Sequence, residues 1–174
     1  MNVKDAITLR RSIRKWKEKE IPDEIILELF DAARMAPSAK NVQSHRYYIL
    51  KNEEIQKLKS KEVFIQSYVY DAPMVIICCA DPSQYSEKTD VDEDSNNYAE
   101  IDLSIATAFL TLRATELGLG SVYVAWIDRK RIKEHLNIPG HYIIPFVIPI
   151  GYPDEEPNQK DKLYLDEILI NKVV

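Results

Sequence analysis

Apolar and polar positions along this chain follow two periods, one near 3.6 residues and one of two, and the switches between them mark out the elements. Residues 3–9 read as a short helix. After a basic stretch, Pro22 stands at a helix-starting position with Asp23 and Glu24 in the first turn. Ile25, Ile26, Leu29, Phe30 and Ala33 follow at helical spacing, which predicts a helix over residues 22–35. It ends before Pro37, the polar residues 38–44 form a loop, and Tyr47, Tyr48, Ile49 and Leu50 read as a strand. A Lys- and Glu-rich helix over 53–59 and a second short helix precede the apolar run 74–80, whose continuity suits a central strand covered on both faces. Residues 81–97 are polar and acidic and read as a long loop. Residues 101–117 carry Asp102, Arg113 and Glu116 but are otherwise apolar nearly all round, predicting a buried central helix stopped by Gly118. A strand over 121–125, a helix over 128–136 with Asp128 as its N-cap, and a strand over 142–150 follow. Pro145 and Pro149 place that last strand at an edge or give it a bulge. The alternation, without internal repeats, implies an α+β or α/β sandwich of helices against a mixed sheet.

The chain has 174 residues, which suits one folding unit over 1–174. Its net charge of −5 works against a general affinity for nucleic acid or anionic membrane, and no apolar run is long and charge-free enough to span a bilayer. The polar opening Met1, Asn2, Val3, Lys4, Asp5 lacks a secretory core region. The two cysteines, Cys78 and Cys79, are adjacent inside an apolar strand, so their side chains point to opposite faces and read as core thiols. A disulfide framework or zinc site is not implied, and a reducing, cytoplasmic compartment is expected.

The candidate chemistry is sparse. Four glycines, Gly118, Gly120, Gly140 and Gly151, leave no G-x-G-x-x-G and no Walker A sequence, so a phosphorylated ligand would have to be held by side chains. Arg10, Arg11 and Arg14 suit that task because guanidinium forks match phosphate oxygens, and Ser12 adds a donor. The plain alternative is a solvated basic surface, or a nucleic-acid patch with Trp16, which the acidic remainder of the chain opposes. Asp90, Asp92, Asp94 and Asn96 are spaced like calcium ligands, but Ser95 replaces the turn glycine and Ile101 stands where a glutamate is needed. His45, His135 and His141 match no catalytic or metal pattern and read as surface or strand-end residues. If the chain is an enzyme, a cofactor should carry the difficult step.

Four segments in order then carry a resemblance: Arg10, Arg11, Ser12, Ile13 and Arg14; residues 36–43; residues 118–126; and Gly151, Tyr152 and Pro153 followed by Lys160, Asp161 and Lys162. Together they resemble the FMN-binding nitroreductase family over nearly the whole chain. The resemblance implies an α+β nitroreductase-like fold, a mixed, mainly antiparallel sheet flanked by helices, with FMN at the interface of a homodimer. It gives Arg10, Arg11 and Ser12 the phosphate, with Lys160 and Lys162 completing the clamp, and puts Arg14 towards the pyrimidine and ribityl side. Pro37, Ser38, Ala39, Asn41 and Gln43 would reach the partner subunit's flavin, and Val124, Ala125 or Trp126 would lie near its reactive N5 and O4. Gln66 is a further candidate contact. The chain departs from the family at Ser44 and His45, where proline and tryptophan are common. The activity implied is ping-pong transfer of electrons from NADH or NADPH to a small nitroaromatic or quinone-like acceptor. Same-fold dehalogenation, flavin fragmentation or plain flavin binding are the alternatives.

Overall fold

The computed structural model describes residues 1–86 and 95–170. Its helices are α1 (Val3–Leu9), α2 (Asp23–Arg34), α3 (Asn52–Lys59), α4 (Ser83–Ser86), α5 (Ser95–Glu116), α6 (Arg129–Leu136) and α7 (Leu165–Ile168). Its strands are β1 (His45–Lys51), β2 (Met74–Ala80), β3 (Gly120–Ser121) and β4 (Ile143–Gly151), in the sheet order β1-β2-β4-β3 with each pair antiparallel. An isolated parallel bridge between Ser12 and Ser121 lays the basic loop beside β3 and makes the arrangement mixed.

All seven residues of β2 are buried, as expected of a strand with layers on both faces. The two-residue period sends Met74, Ile76, Cys78 and Ala80 into the core shared with α2 and α5. Val75, Ile77 and Cys79 enter the opposite core, with Ile55 and Leu58 of α3 and Ile132 of α6. The adjacent cysteines are therefore buried, free and on opposite sides of the sheet. Burial pushes both thiols up, Cys79 to about 12.

The helix ends follow local chemistry. Asn2 and Asp5 make a reciprocal capping box on α1, and the Asp128 carboxylate accepts the Arg131 N–H at 3.0 Å to start α6. At the end of α5, Gly118 at φ +75° lets its own N–H reach the Thr115 carbonyl and the Leu119 N–H reach that of Ala114. Those two bonds form a Schellman stop.

Of the two alternatives for β4, an edge position or a bulge, the structure takes the second: the strand lies between β2 and β3 and is bulged, with Ile144 and Pro145 opposite Cys79 alone, so Pro145 falls where the ladder is already broken. Pro149 turns its carbonyl to the Val122 N–H, so its missing donor faces Val122, where it interrupts the pairing with the β3 side, and costs no bond to β2. Two expectations need correction, and both concern element bounds and burial. First, the strand expected over 121–125 reduces to Gly120–Ser121 plus a bridge at Val124. The segment stays beside β4 in one register, with the Val122 N–H on Pro149 O and Val124 paired with Val147, but Pro149 has no N–H to return a bond and the ladder is interrupted there. Second, α5 starts at Ser95, and it is not buried all round: Ile101 and Phe109 stay exposed opposite the buried face of Leu103, Ala106 and Leu110. The candidate calcium positions Asp90, Asp92 and Asp94 lie outside the described residues. Among the described residues no group of acidic, His or Cys side chains is placed to hold a metal ion, and no helix is long and apolar enough to cross a membrane.

Candidate functional site

The basic loop is fastened into the fold by its backbone and its two apolar residues. The Ile13 N–H donates to Ser121 O at 3.1 Å and the Lys17 N–H to Tyr152 O at 2.9 Å, while Trp16 is buried with its indole N–H on Gly120 O at 2.9 Å. Glycine is required at the two crossing points: a Cβ on Gly120 would come within 2.5 Å of Ile13, and one on Gly151 within 2.5 Å of Pro73 and 3.0 Å of Trp16. Thus Gly118 stops a helix and Gly120 admits the basic loop; neither forms a phosphate turn. Trp16, the aromatic that a nucleic-acid patch would need, is consumed by the core.

The three arginines of this loop have different partners. Arg11 donates to the carbonyls of Thr8 at 2.6 Å and Arg10 at 2.9 Å, and to Gln159 Oε1 at 3.1 Å. Arg14 is exposed, reaches Ser12 O at 3.3 Å, and lies with its guanidinium carbon 5.9 Å from the Tyr68 ring centre. Arg10 is half-buried, and its Nη1 is shielded from solvent without a hydrogen-bond partner. The Glu155 carboxylate accepts the N–H groups of Arg14 and Lys15, and Asp154 N–H donates to Lys15 O at 3.0 Å. Those contacts and the Arg11–Gln159 bond bring the segment before Lys160 against the loop. Lys160 and Lys162 are exposed and make no hydrogen bond or ion pair among the described residues.

On the far side of Ser12, the segment after β3 splits its roles by parity. Val124 is buried, and both its N–H and its C=O pair with Val147, at 2.9 and 3.0 Å. Its backbone is therefore occupied. Ala125 is exposed and its carbonyl is taken by Ile127 N–H and Arg129, whereas Trp126 is 67% exposed. The N–H groups of Ala125 and Trp126 carry no bond among the described residues. Tyr123 projects to the α5 side, its hydroxyl 3.5 Å from Thr111 Oγ1 and its ring 5.0 Å from that of Phe146. Burial raises the Tyr123 phenol, and its hydrogen bonds to Thr107 and Thr111 and the charge of Arg10 oppose the rise, which puts Arg10 within electrostatic reach of this ring.

The loop 37–43 is bent by three residues at positive φ, Lys40 at 49°, Asn41 at 55° and Gln43 at 55°. Ser38 Oγ accepts the Gln43 N–H at 3.0 Å, and Asp102 of α5 accepts the Ala39 N–H at 3.0 Å. Pro37, Asn41 and Gln43 are exposed, while Ser38 and Ala39 are half-buried. Asp102 fixes this loop near the start of α5, and Thr111, nine residues on, touches the Tyr123 side of the basic cluster, a separation of about 13 Å along the helix. No hydrogen bond, ion pair or ring contact joins the two groups among the described residues. Gln66 caps the 3₁₀ turn Ser67–Asp71 and accepts the Val69 N–H through its carbonyl. Asp102, Tyr123 and Glu155 escape the sequence reading. Asp102 was visible there as a charge in an apolar helix, whereas Glu155 gave no local signal.

The model of the nitroreductase family matches residues 7–152. A Methanothermobacter thermautotrophicus protein, whose name pairs NADH dehydrogenase with NAD(P)H nitroreductase, is 36% identical over 99% of this chain and 88% of its own. A Thermus thermophilus NADH dehydrogenase is 26% identical over 98% of this chain and 96% of its own. Among solved structures, a nitroreductase family protein from Clostridium difficile 630 superposes over the whole of both chains with a TM-score of 0.85 at 28% identity. With the family model covering both the basic loop and the strand beside it, the chain belongs to the nitroreductase family.

Proposed function

We propose that this protein is an NAD(P)H-dependent oxidoreductase that holds FMN between two copies of the chain and passes electrons by a ping-pong route to a small electron-poor acceptor, a nitroaromatic or a quinone. The observation that carries this reading is Arg10: a guanidinium nitrogen shielded from water without a partner is costly unless an anion meets it. It stands in a loop where Arg11 and Arg14 add charge and where Ser12 bridges to the strand leading to Trp126. The donor set fits a single terminal phosphate held by side chains, since the glycines here serve packing and helix termination. In this reading Arg10, Arg11 and Ser12 hold the phosphate, Lys160 and Lys162 close over it, and the free N–H groups of Ala125 and Trp126 face the ring's polar edge. Arg14 supplies positive charge on the pyrimidine side. Bound FMN supplies the exchange of two electrons between the nicotinamide and the acceptor.

A second copy is part of the proposal. Tyr98, Ile101, Ile105, Phe109 and Leu112 recur every three or four residues along α5 and leave an apolar stripe exposed or half-exposed. Beside it lies a groove of about 410 Å³ lined by Val3, Ala6, Ala32 and Met35. The separation between loop 37–43 and the basic cluster favours a site completed across the dimer, with Pro37, Ser38, Ala39, Asn41 and Gln43 reaching the partner's cofactor. The relatives' names support the nicotinamide donor.

The test is spectroscopic. The purified protein is expected to carry FMN rather than FAD, and anaerobic NADH or NADPH is expected to bleach its visible absorbance before acceptor is added, with acceptor restoring it. Arg10→Ala should weaken FMN binding by about 1.5–3 kcal/mol, the scale of a hydrogen bond to a charged group. Stoichiometric FAD, no flavin affinity, or equal affinity in the variant would defeat the reading at the cofactor, at the fold's use, or at Arg10 respectively.

A further inference from the structure

We infer that Asp102 is a positioning residue that sets the conformation of loop 37–43 and thereby the affinity of the partner subunit's flavin site, a role that rests on the function proposed above. Asp102 is 4% exposed in a buried helix face whose other members are Ala99, Leu103, Ala106, Thr107, Leu110, Thr111 and Ala114, none of which can carry a charge. It forms no ion pair among the described residues. A carboxylate buried without a cation is expensive, so a purely packing role would be better filled by an apolar side chain. What it has instead is two donors from outside its helix. The Ala39 N–H lies 3.0 Å from one oxygen and 3.3 Å from the other, and the Tyr85 hydroxyl donates to the first.

Both donors come from fixed structure. Tyr85 is 2% exposed and stacks on Tyr98 with ring centres 5.9 Å apart, so it holds the carboxylate from the α4 side. Ala39 starts the 3₁₀ turn Ala39–Asn41, the first part of a loop whose Lys40, Asn41 and Gln43 all take left-handed backbone conformations without being glycine. Such conformations persist only where surrounding bonds over-determine them. Here the bonds include Asp102 to Ala39 at the entry, Ser38 to Gln43 and the Asn41 N–H to Ser38 O within the turn, and Arg46 to Gln43 O and the Asp81 N–H to Ser44 O at the exit. Asp102 is the anchor among these that comes from α5, the helix whose exposed stripe is proposed to face the second subunit. It therefore ties the loop's shape to the position of the interface.

The test pairs two lesions. Asp102→Ala and Arg10→Ala homodimers should each bind FMN about tenfold or more weakly than wild type, the scale of losing a hydrogen bond to a charged group. A heterodimer of one Asp102→Ala chain and one Arg10→Ala chain, isolated by two different tags, should regain one site of wild-type affinity. In it, one site joins an intact Arg10 to an intact loop and the other joins both lesions. The visible circular dichroism of the bound flavin should shift in Asp102→Ala and return in the heterodimer's restored site, which a loss of stability alone would not produce. Asp102→Asn, similar in shape but carrying one acceptor oxygen, covers the case in which the alanine variant does not fold, and is expected to bind between the two. A folded, dimeric Asp102 variant with unchanged FMN affinity and flavin dichroism, or a heterodimer without a restored site, overturns the role. A wild-type protein that binds no FMN overturns the proposed function and this role with it.

Discussion

At the scale of single residues, polar groups buried without partners divide into those that await a ligand and those that tune stability. Arg10 Nη1 is assigned to the first group by the function proposed above, as a shielded cation without a partner in a loop that also carries Arg11 and Arg14. His45 belongs to the second. Burial, with the charge of Arg46 adding to it, lowers its pKa below the ordinary 6.5, and its Nδ1 is shielded without a partner. A histidine whose folded pKa is depressed favours the neutral form, so its contribution to stability is whole above 6.5 and is lost as the pH falls below that value towards the folded pKa. Urea unfolding is therefore expected to show stability falling as the pH drops below 6.5, and His45→Phe should flatten that fall; an unchanged slope would remove His45 as its source. The thiols give a second residue-level prediction. Cys78 and Cys79 are buried on opposite faces with raised pKa values, so a disulfide-exchange reagent should leave both untouched in the native protein at neutral pH and titrate both in guanidinium. Fast native labelling would mean that β2 opens.

Between elements, the decisive contacts are those where one segment crosses another too closely for a side chain. Gly120 and Gly151 face each other across β3 and β4, and over that point the basic loop lays Ile13 and Trp16. Gly120→Ala must push a methyl to within 2.5 Å of Ile13, against a side chain packed in the core. We expect a loss of about 1–3 kcal/mol in urea unfolding, the usual cost of overpacking, together with weaker FMN binding, because the displaced segment carries Ser12 and its arginines. Stability lost with flavin affinity intact would show that the loop adapts. This crossing also marks the limit of what the sequence discloses. The α2 helix, β2 and the Gly118 stop were legible because each is written in residues close together: a helical period, an unbroken apolar run, a glycine after the last turn. The first turn and a half of α5 was not, since Ser95, Asn96 and Asn97 are polar and carry no period. The two prolines of β4 left an edge and a bulge both open, and the choice between them depends on the segment 120–124 that pairs on its far side, which local pattern cannot reveal. In the site, the arginines were visible as a cluster. Glu155, about 140 positions away along the chain, meets them only through the fold.

For the molecule as a whole, the apolar surface left over by one chain specifies what else must be present. One face of α5 is fully spent on the core, yet the opposite face keeps Phe109 at 41% exposure beside Ile101 and Met35, and the C-terminal stretch carries Leu163, Tyr164 and Leu165 outward, with Tyr164 at 78%. An exposed apolar surface of this extent, on a helix that also holds loop 37–43, is the surface that the proposed second copy would cover by symmetry. Phe109 sits on the stripe at a point away from Asp102, the basic loop and Trp126, so replacing it changes no group proposed to touch FMN. Phe109→Glu places a charge on the apolar stripe that the proposed interface would have to bury. The variant is expected to fold, because the position is solvent-exposed in the single chain, and to sediment as a monomer at micromolar concentration where wild type is a dimer. If the site is completed by the partner's loop, flavin should leave with the partner, so the monomer should be colourless and regain FMN only as concentration drives reassociation. A Phe109→Glu protein that stays dimeric would move the interface elsewhere, and one that is monomeric yet keeps its flavin would show that a single chain holds the whole site.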